Sequence, residues 1–299
     1  MLSRFFSFVE IRTKLASLVP FLLGLAFAYS RFQAIQWFLT GLFFASMIVF
    51  DMATTALNNF IDTQSNGQPL PFPRKTARVI LAVLLVLATG LGLVLAFSTD
   101  LTILLAGAAC FAAGIFYTFG PAPISRMPLG EIFSGLFMGF FIPFLVVQIN
   151  APTGSLVFIQ LDWQMLTLAL RWPELVKLFL VTVTPVATIA NIMLANNICD
   201  LEHDRMVSRL TLPHYIGVPA ALNVFAGLYY ASLLSWVALA ALGLVTPWVL
   251  AALLVTLPVE KNIRKFRKLQ TKKDTFAVSI QNFLLLMLPL VVATALTRI

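Results

Sequence analysis

Charged residues are scarce in this chain. Only 11% of its 299 residues are Asp, Glu, Lys or Arg, whereas 60% are hydrophobic and the mean hydropathy is +0.94. A soluble domain of this size carries far more charge, so the composition excludes that class and predicts an integral membrane protein. A cleavable signal peptide pattern is also absent. Residues 1–14 mix Phe with charged side chains instead, which predicts an amphipathic start at the membrane interface.

Cysteine and histidine are rarer still. Cys110 and Cys199 are the two cysteines, with no CxxC motif, so a disulfide framework is not expected. His203 and His214 have no His-x-x-His or Cys partner in the sequence, which argues against zinc. We expect His203 to face water or an Asp, and its residue type leaves a general-base role open.

The formal net charge of +8 reports topology rather than nucleic acid binding. The apolar runs predict nine spans, at residues 15–33, 35–57, 76–97, 100–119, 130–149, 177–196, 218–243, 247–261 and 275–297. If the N-terminus is cytoplasmic, only Arg31, Arg171, Lys177 and Arg298 of the 20 Lys and Arg residues fall in outer segments. Residues 150–173 are expected to form an outer loop with a partly embedded helix.

This pattern predicts one all-α multi-pass domain, residues 1–299, in the cytoplasmic membrane. Its nine or so transmembrane helices would surround a central cavity and contact membrane lipids, with no nucleic acid partner. A Lys- and Arg-rich run, residues 261–273, is interpreted as a topology signal that also contacts anionic lipid.

Two copies of one polar pattern stand at the ends of apolar runs. The first covers residues 58–66 and the second residues 196–204. In each, an Asn pair precedes an Asp by three residues, and a further oxygen-bearing side chain follows four residues after that Asp. Helical period places Asn, Asp and the later residue on one face. Four predicted spans separate the copies on the same, cytoplasmic side, which is the basis of a parallel-repeat hypothesis.

The carboxylates of these motifs suit a metal ion. Asp62 with Asn66, and Asp200 with Asp204, would offer hard oxygen ligands to Mg²⁺, which binds through a few carboxylates plus substrate phosphates. A carboxylate at membrane depth costs about 2.5 kcal/mol or more if unpaired, which favours a functional reason for it. Helix capping by Asn and Asp is the alternative, and a repeated spacing argues against capping alone.

Basic and polar residues near the motifs are candidate contacts for a polyanionic substrate, since Arg grips phosphate oxygens in pairs. The candidate substrate contacts are Asn58, Asn59, Arg12, Lys14, Arg74, Lys75, Tyr117, Arg126, Glu131, Asn196, Asn197, Arg205 and Arg209. Asp51, two helical turns before Asn58, is as well explained by a structural hydrogen bond, for example to Thr54 or Thr55, as by substrate contact.

At these motifs the chain resembles the UbiA superfamily of intramembrane prenyltransferases, and within it the 1,4-dihydroxy-2-naphthoate polyprenyltransferases of menaquinone synthesis. The resemblance rests on the stretch from Asn196 to Arg205, on Arg209 to Leu212, and on residues 117–121 and 128–131. It implies a nine-helix fold in which Mg²⁺ is held by Asp62 with Asn59 or Asn66 and by Asp200 and Asp204. It also implies that the three aspartates are catalytic, and that a polyprenyl diphosphate and an aromatic acid are the substrates.

The first motif departs from the family pattern. Asn59 and Asn66 stand where the family commonly has Asp, so Asp62 alone keeps its charge, and Asp51 is a candidate source of the missing charge. Three alternatives stay open: another aromatic acceptor such as 4-hydroxybenzoate, haem or chlorophyllide; an ion-coupled secondary transporter, favoured by Asp51; and a degenerate member that binds prenyl lipid without turnover.

Overall fold

The chain folds into a bundle of long apolar helices in the computed structural model, which describes residues 1–65 and 69–298. Within that part, eight helices are long and apolar enough to cross a membrane. They are Ile11–Phe32, Trp37–Thr63, Arg74–Phe97, Leu101–Thr118, Gly130–Asn150, Trp172–Cys199, Leu212–Ala241 and Ala277–Ala295. The predicted architecture of membrane-spanning helices is therefore confirmed.

The helices α1–α12 and the strands β1 and β2 follow one another with short connections. The helices are α1 (Leu2–Phe8), α2 (Leu15–Phe32), α3 (Trp37–Ser65), α4 (Arg74–Phe97), α5 (Leu101–Thr118), α6 (Gly130–Ser134), α7 (Ile142–Asn150), α8 (Trp172–Cys199), α9 (Leu201–Met206), α10 (Leu212–Ala241), α11 (Thr256–Lys268) and α12 (Ala277–Ala295). The strands are β1 (Val157–Leu161) and β2 (Leu166–Leu170). Short 3₁₀ helices cover Ile11–Lys14, Ile124–Arg126 and Pro247–Val255, and Gly135–Phe141 is a π-helical stretch between α6 and α7.

Helix pairing brings the ends of α3 and α8 into one bundle. The helix α3 packs along α4, α8 packs along α10, and α2 packs against α7 and α12. Side-chain caps start two helices of the bundle. At α5 the Asp100 carboxylate accepts the Ile103 N–H at 3.0 Å, and at α10 Thr211 and His214 form a reciprocal cap. His214 is thereby assigned a structural role.

The segment predicted as the eighth span is not confirmed as one. The 3₁₀ helix Pro247–Val255 is followed by α11, which buries Val259, Ile263 and Phe266 and otherwise carries mostly charged side chains. Apolar positions four and seven residues apart make one narrow stripe, so α11 is an amphipathic surface helix. The count of nine spans and the cytoplasmic side of both motifs stay predictions.

The expected embedded helix in residues 150–173 is wrong, because this segment forms an antiparallel hairpin of β1 and β2. The Asp162 carboxylate accepts the backbone N–H groups of Gln164 and Met165, each at 2.9 Å, and so closes the turn. Val and Ile in β1, with alternating side-chain directions, favour a strand here. Pairing of Ile159 with Leu168 and of Leu161 with Leu166 puts aliphatic side chains on one face.

The π-helical stretch packs unusually close to α8. A Cβ atom added at Gly139 would lie 2.5 Å from the Val186 nitrogen, and one at Gly135 would lie 2.7 Å from the Val186 carbonyl oxygen. Only glycine permits this approach of two backbones. The contact fixes the position of neighbouring residues that face the interior of the bundle.

Candidate active site

Both Asn/Asp motifs line one cavity of about 820 Å³ between the helices. Asn58 and Asp62 contribute from α3, and Asn196, Asp200 and Asp204 contribute from the end of α8 and from α9. The structure thus brings together two segments that lie far apart in the sequence. The parallel repeat itself stays a prediction, although each motif ends a long helix.

The two motifs have the same helical phase. In each, the first Asn and the Asp four residues later face the cavity, namely Asn58 with Asp62 and Asn196 with Asp200. The second Asn of each pair does not line the cavity and makes a structural hydrogen bond instead. Residues four apart share a helix face, whereas the intervening second Asn is turned away by about 100°.

Asn59 and Asn197 show what the second Asn does. The Asn59 amide donates to the Phe8 carbonyl oxygen at 3.0 Å and to Glu10 Oε1 at 3.2 Å, which ties α3 to the N-terminal segment. The Asn197 amide donates to Glu131 Oε1 at 2.8 Å, and both side chains are buried. Asn59 was a candidate metal ligand, and Asn197 and Glu131 candidate substrate contacts; none of the three is brought to the cavity.

Asp200 is paired with a residue that the sequence analysis did not single out. Lys272, from the loop between α11 and α12, lies 2.8 Å from Asp200 Oδ2 and donates to Asn196 Oδ1 at 2.6 Å. It also lines the cavity. The sequence offered no signal to separate Lys272 from the rest of its basic cluster, because its partners come from α8.

Asp204 is the most buried carboxylate of the site. Its side chain is 3% exposed, and its Oδ2 atom has no hydrogen-bond partner among the residues that the structure describes. Burial raises the pKa of this carboxyl above its ordinary value, and nearby Arg209 only partly opposes the shift. A buried oxygen without a donor is a position where a cation can bind.

Arg209 links the two motifs. Its Nε donates to the Ser125 carbonyl oxygen at 2.8 Å and lies 4.0 Å from Asp204 Oδ1, while its Nη1 lies 3.9 Å from Asp62 Oδ2. The hydrogen bond to Ser125 holds the guanidinium between carboxylates of both motifs. Arg209 is therefore placed where the sequence analysis expected a substrate contact.

The remaining candidates divide into two groups. Tyr117 and Arg126 line the cavity, as does His203, and the Asn58 Oδ1 atom accepts a hydrogen bond from Thr118 at 3.1 Å. The other candidates do not line the cavity themselves: Arg12, Lys14, Arg74, Lys75 and Arg205. Asn66 lies outside the described residues.

Two of these outlying cations have local partners. Arg74 lies over the Phe60 ring, 5.4 Å from its centroid, and donates to the Phe60 carbonyl oxygen at 3.3 Å. Lys14, 6% exposed, lies 2.6 Å from Asp51 Oδ1 and also donates to Thr55. Their positions favour structural roles over phosphate binding.

The rest of the cavity wall is apolar and aromatic. Phe50 stacks on Phe111 with ring centroids 3.9 Å apart, and Phe133 stacks on Phe137 at 5.7 Å. Aliphatic side chains continue this wall, among them Leu95, Ile103, Ile142, Leu145 and Ile189. The cavity is thus charged at the motifs and mostly hydrophobic away from them.

Within the described residues, no group of three or more His, Cys, Asp or Glu side chains converges closely enough to hold a metal alone. Mg²⁺ does not require such a cage, because it binds proteins through one or two carboxylates and takes waters and phosphate oxygens as its other ligands. Asp62, Asp200 and the unpartnered Oδ2 of Asp204 supply hard oxygens around one cavity. The donor set fits that ion.

Comparison with known proteins agrees with this arrangement. The UbiA prenyltransferase family matches residues 17–288. A curated relative, the 1,4-dihydroxy-2-naphthoate octaprenyltransferase of Bacillus subtilis (strain 168), is 28% identical over 263 residues, covering 83% of this chain and 77% of the relative.

Solved structures share the fold at low sequence identity. A UbiA homologue from Archaeoglobus fulgidus bound to GPP and Mg²⁺ is 11% identical, covers 97% of this chain and 98% of its own, and superposes with a TM-score of 0.68. The apo structure of a UbiA homologue from Aeropyrum pernix K1 is 16% identical, covers 92% and 97%, and has a TM-score of 0.65. Family membership sets aside the secondary-transporter alternative. On its motifs, its fold and the match over most of its length, the chain belongs to the UbiA family of membrane-embedded prenyltransferases.

Proposed function

We propose that the chain transfers a polyprenyl group from polyprenyl diphosphate to 1,4-dihydroxy-2-naphthoate in an Mg²⁺-dependent reaction. The products would be diphosphate, CO₂ and demethylmenaquinol, the hydroquinone form of demethylmenaquinone. The observation that carries the proposal is one cavity with a charged end at both motifs and a hydrophobic, aromatic end beyond them. A prenyl diphosphate has this same division between head and tail. The Bacillus subtilis relative, named for this acceptor, supports the choice of naphthoate.

The charged end would bind the diphosphate. Asp62, Asp200 and Asp204 would hold Mg²⁺, which supplies Lewis-acid neutralisation of the leaving diphosphate. Arg209 lies between the motifs, Lys272 lies beside Asp200, and Arg126 lines the same cavity. These cations would donate to phosphate oxygens as negative charge grows on them.

The apolar end would hold the isoprenoid tail and exclude water from the reacting carbon. Aromatic faces such as those of Phe50 and Phe133 carry a negative quadrupole, which stabilises positive charge near the ring. Exclusion of water matters because an allylic cation reacts with it rapidly. The paired aromatic rings therefore suit the step at which the bond to diphosphate breaks.

The reaction balances without a redox partner. The bond between prenyl C1 and oxygen breaks with its electron pair going to diphosphate, and the acceptor ring carbon that bears the carboxylate forms the new bond to C1. The bond to the carboxylate then breaks, CO₂ leaves, and its electron pair restores the aromatic ring. The residues of the cavity need only hold both substrates in reacting distance.

The location follows from the substrates. Donor and product are membrane lipids, so a cavity within a helical bundle gives both access without crossing water. We propose the cytoplasmic membrane, with the N-terminus and both motifs on the cytoplasmic side, because most of the Lys and Arg residues then lie inside.

The test is an acceptor assay on the purified chain in lipid nanodiscs with Mg²⁺ and a labelled prenyl diphosphate. We expect labelled product with dihydroxynaphthoate, with diphosphate and CO₂ released in equal amounts. Asp204→Asn should abolish both, whereas Asp162→Asn, in the exposed hairpin turn, should abolish neither. Product from 4-hydroxybenzoate alone would overturn the proposal that dihydroxynaphthoate is the acceptor. Binding of prenyl diphosphate without product at saturating Mg²⁺ would indicate a non-catalytic member.

A further inference from the structure

A polar network lies on the cavity wall away from the motifs. Lys14 Nζ is 2.6 Å from Asp51 Oδ1, 3.0 Å from the Asp51 carbonyl oxygen and 2.6 Å from Thr55 Oγ1. Ser17 donates to the other oxygen, Asp51 Oδ2, at 2.6 Å. All three ammonium protons of Lys14 are therefore used inside the protein, and Lys14 has none left for a phosphate.

Only one side of this network faces the cavity. Asp51, Ser17 and Thr55 line it, whereas Lys14 lies behind them and is buried. A carboxylate has about four lone-pair positions, so Asp51 keeps acceptor capacity beyond Lys14 and Ser17. Lys14 and Asp51 form an ion pair in a wall that is otherwise mostly apolar.

The position of Asp51 relative to the motifs suits the acceptor. Asp51 precedes Asn58 by seven residues and Asp62 by eleven on α3, so it lies about 10 Å and 16 Å deeper along the helix axis. The diphosphate belongs at the motifs and the isoprenoid tail in the apolar end. The acceptor ring must lie beside C1, where head and tail meet, and Asp51 lines the cavity on the interior side of the motifs.

The neighbourhood also fits a flat ring. Phe50, next to Asp51, lines the cavity and stacks on Phe111 at 3.9 Å. Aromatic faces and one charged hydrogen-bond acceptor are what a phenol or naphthol needs.

We propose that Asp51, held in place by Lys14 and Ser17, accepts a hydrogen bond from a hydroxyl group of the aromatic acceptor. This inference rests on the proposed function. In dihydroxynaphthoate the 1-hydroxyl is adjacent to the carboxylate and is used in an internal hydrogen bond, so the 4-hydroxyl is the free donor. Its hydrogen bond to Asp51 orients the ring and raises its electron density for attack on C1. An anionic group, whether carboxylate or diphosphate, is not attracted to this site.

The test is a thermodynamic cycle that combines one substitution in the enzyme with one change in the ligand. The dissociation constant of dihydroxynaphthoate is compared with that of 1-hydroxy-2-naphthoate, which lacks the 4-hydroxyl, for the wild-type chain and for Asp51→Asn. We expect the wild type to bind the full acceptor about tenfold to a hundredfold more tightly than the analogue. Asp51→Asn should lose most of that preference and leave the KM for prenyl diphosphate unchanged.

A control guards against misfolding, because Asp51→Asn leaves the Lys14 charge buried without its partner. The double variant Lys14→Met/Asp51→Asn removes both charges and should recover thermal stability while still lacking the preference. The wild type should also bind 4-hydroxy-2-naphthoate, which keeps the free hydroxyl, more tightly than it binds 1-hydroxy-2-naphthoate.

Three outcomes decide the matter. Loss of the preference in both variants supports the assignment. Equal preference in the wild type and the double variant overturns it, and so does a shift in the Mg²⁺ requirement with acceptor binding unchanged, which would make Asp51 a metal ligand. Turnover of dihydroxynaphthoate by the wild type is measured separately, so failure of the proposed function is recognised on its own.

Discussion

Lys272 Nζ lies 2.8 Å from Asp200 Oδ2, and so a cation from the loop before α12 neutralises one of the carboxylates that we propose as metal ligands. The lysine side chain is 49% exposed. An ammonium group on a four-carbon stem can turn from a carboxylate to a nearby phosphate without moving the backbone. Lys272 would thus keep the cavity electrically balanced before the diphosphate binds and contact the diphosphate afterwards.

Replacing Lys272 with Met should raise the KM for prenyl diphosphate and lower kcat/KM about tenfold or more, since a charge-assisted hydrogen bond is lost. Steady-state kinetics at saturating acceptor measures this effect. Lys273→Met is the matched control, because Lys273 is an exposed neighbour that does not line the cavity. Equal kinetics for the two variants would mean that Lys272 serves only topology and lipid contact.

Asn59→Ala should lower thermal stability and leave the Mg²⁺ dependence of the reaction unchanged. The Asn59 amide holds Phe8 and Glu10, so its loss frees the N-terminal segment from α3 and costs about 1 kcal/mol per hydrogen bond. Thermal unfolding and a Mg²⁺ titration of activity measure the two effects. Asp62→Asn should instead change the Mg²⁺ dependence and leave thermal stability close to that of the wild type. A higher Mg²⁺ requirement in Asn59→Ala would restore Asn59 as a metal ligand.

The sequence predicted the two motifs and their meeting at one site, because carboxylates at the ends of apolar helices are too costly to remain without a function. It did not resolve which Asn of each pair faces the cavity, since spacings of three and of four residues both match a helix face. The structure selects the spacing of four for Asn58 and Asp62 and again for Asn196 and Asp200. Lys272 was missed because its partner Asp200 is distant in sequence.

Hydropathy located most of the spans and failed where short apolar runs are ambiguous. Residues 247–261 have the apolar composition of a span but form a 3₁₀ helix followed by the amphipathic α11. Residues 150–173 were predicted as an outer loop with a partly embedded helix, and a hairpin stands in place of that helix. A short apolar run has no periodicity that separates strand from helix.

Glu131 tests whether a buried carboxylate serves structure or substrate. Glu131→Ala would leave the buried Asn197 amide without its acceptor and should destabilise the fold by about 1–3 kcal/mol. Glu131→Gln keeps an acceptor oxygen for Asn197 and should unfold close to the wild type. Denaturant unfolding in detergent micelles compares them. If Glu131→Gln raised the KM of either substrate as much as Glu131→Ala does, Glu131 would be a substrate contact, as the sequence analysis expected.

Gly139→Ala should be among the more damaging small substitutions in the bundle. The added Cβ would lie 2.5 Å from the Val186 nitrogen and 2.6 Å from the Val186 Cα, and these backbone atoms cannot move aside as a side chain can. The π-helical stretch and α8 would have to separate, at a cost of about 1–3 kcal/mol, as is typical of overpacking. Phe137 and Met138, which line the cavity from this stretch, would move with it. Activity should therefore fall together with the unfolding midpoint.

Gly227→Ala in α10 is the control, because a Cβ there meets no atom within 4 Å and a helical Ala is favoured over Gly by about 1 kcal/mol. If Gly139→Ala were as stable and active as Gly227→Ala, the close approach would not be needed to shape the cavity.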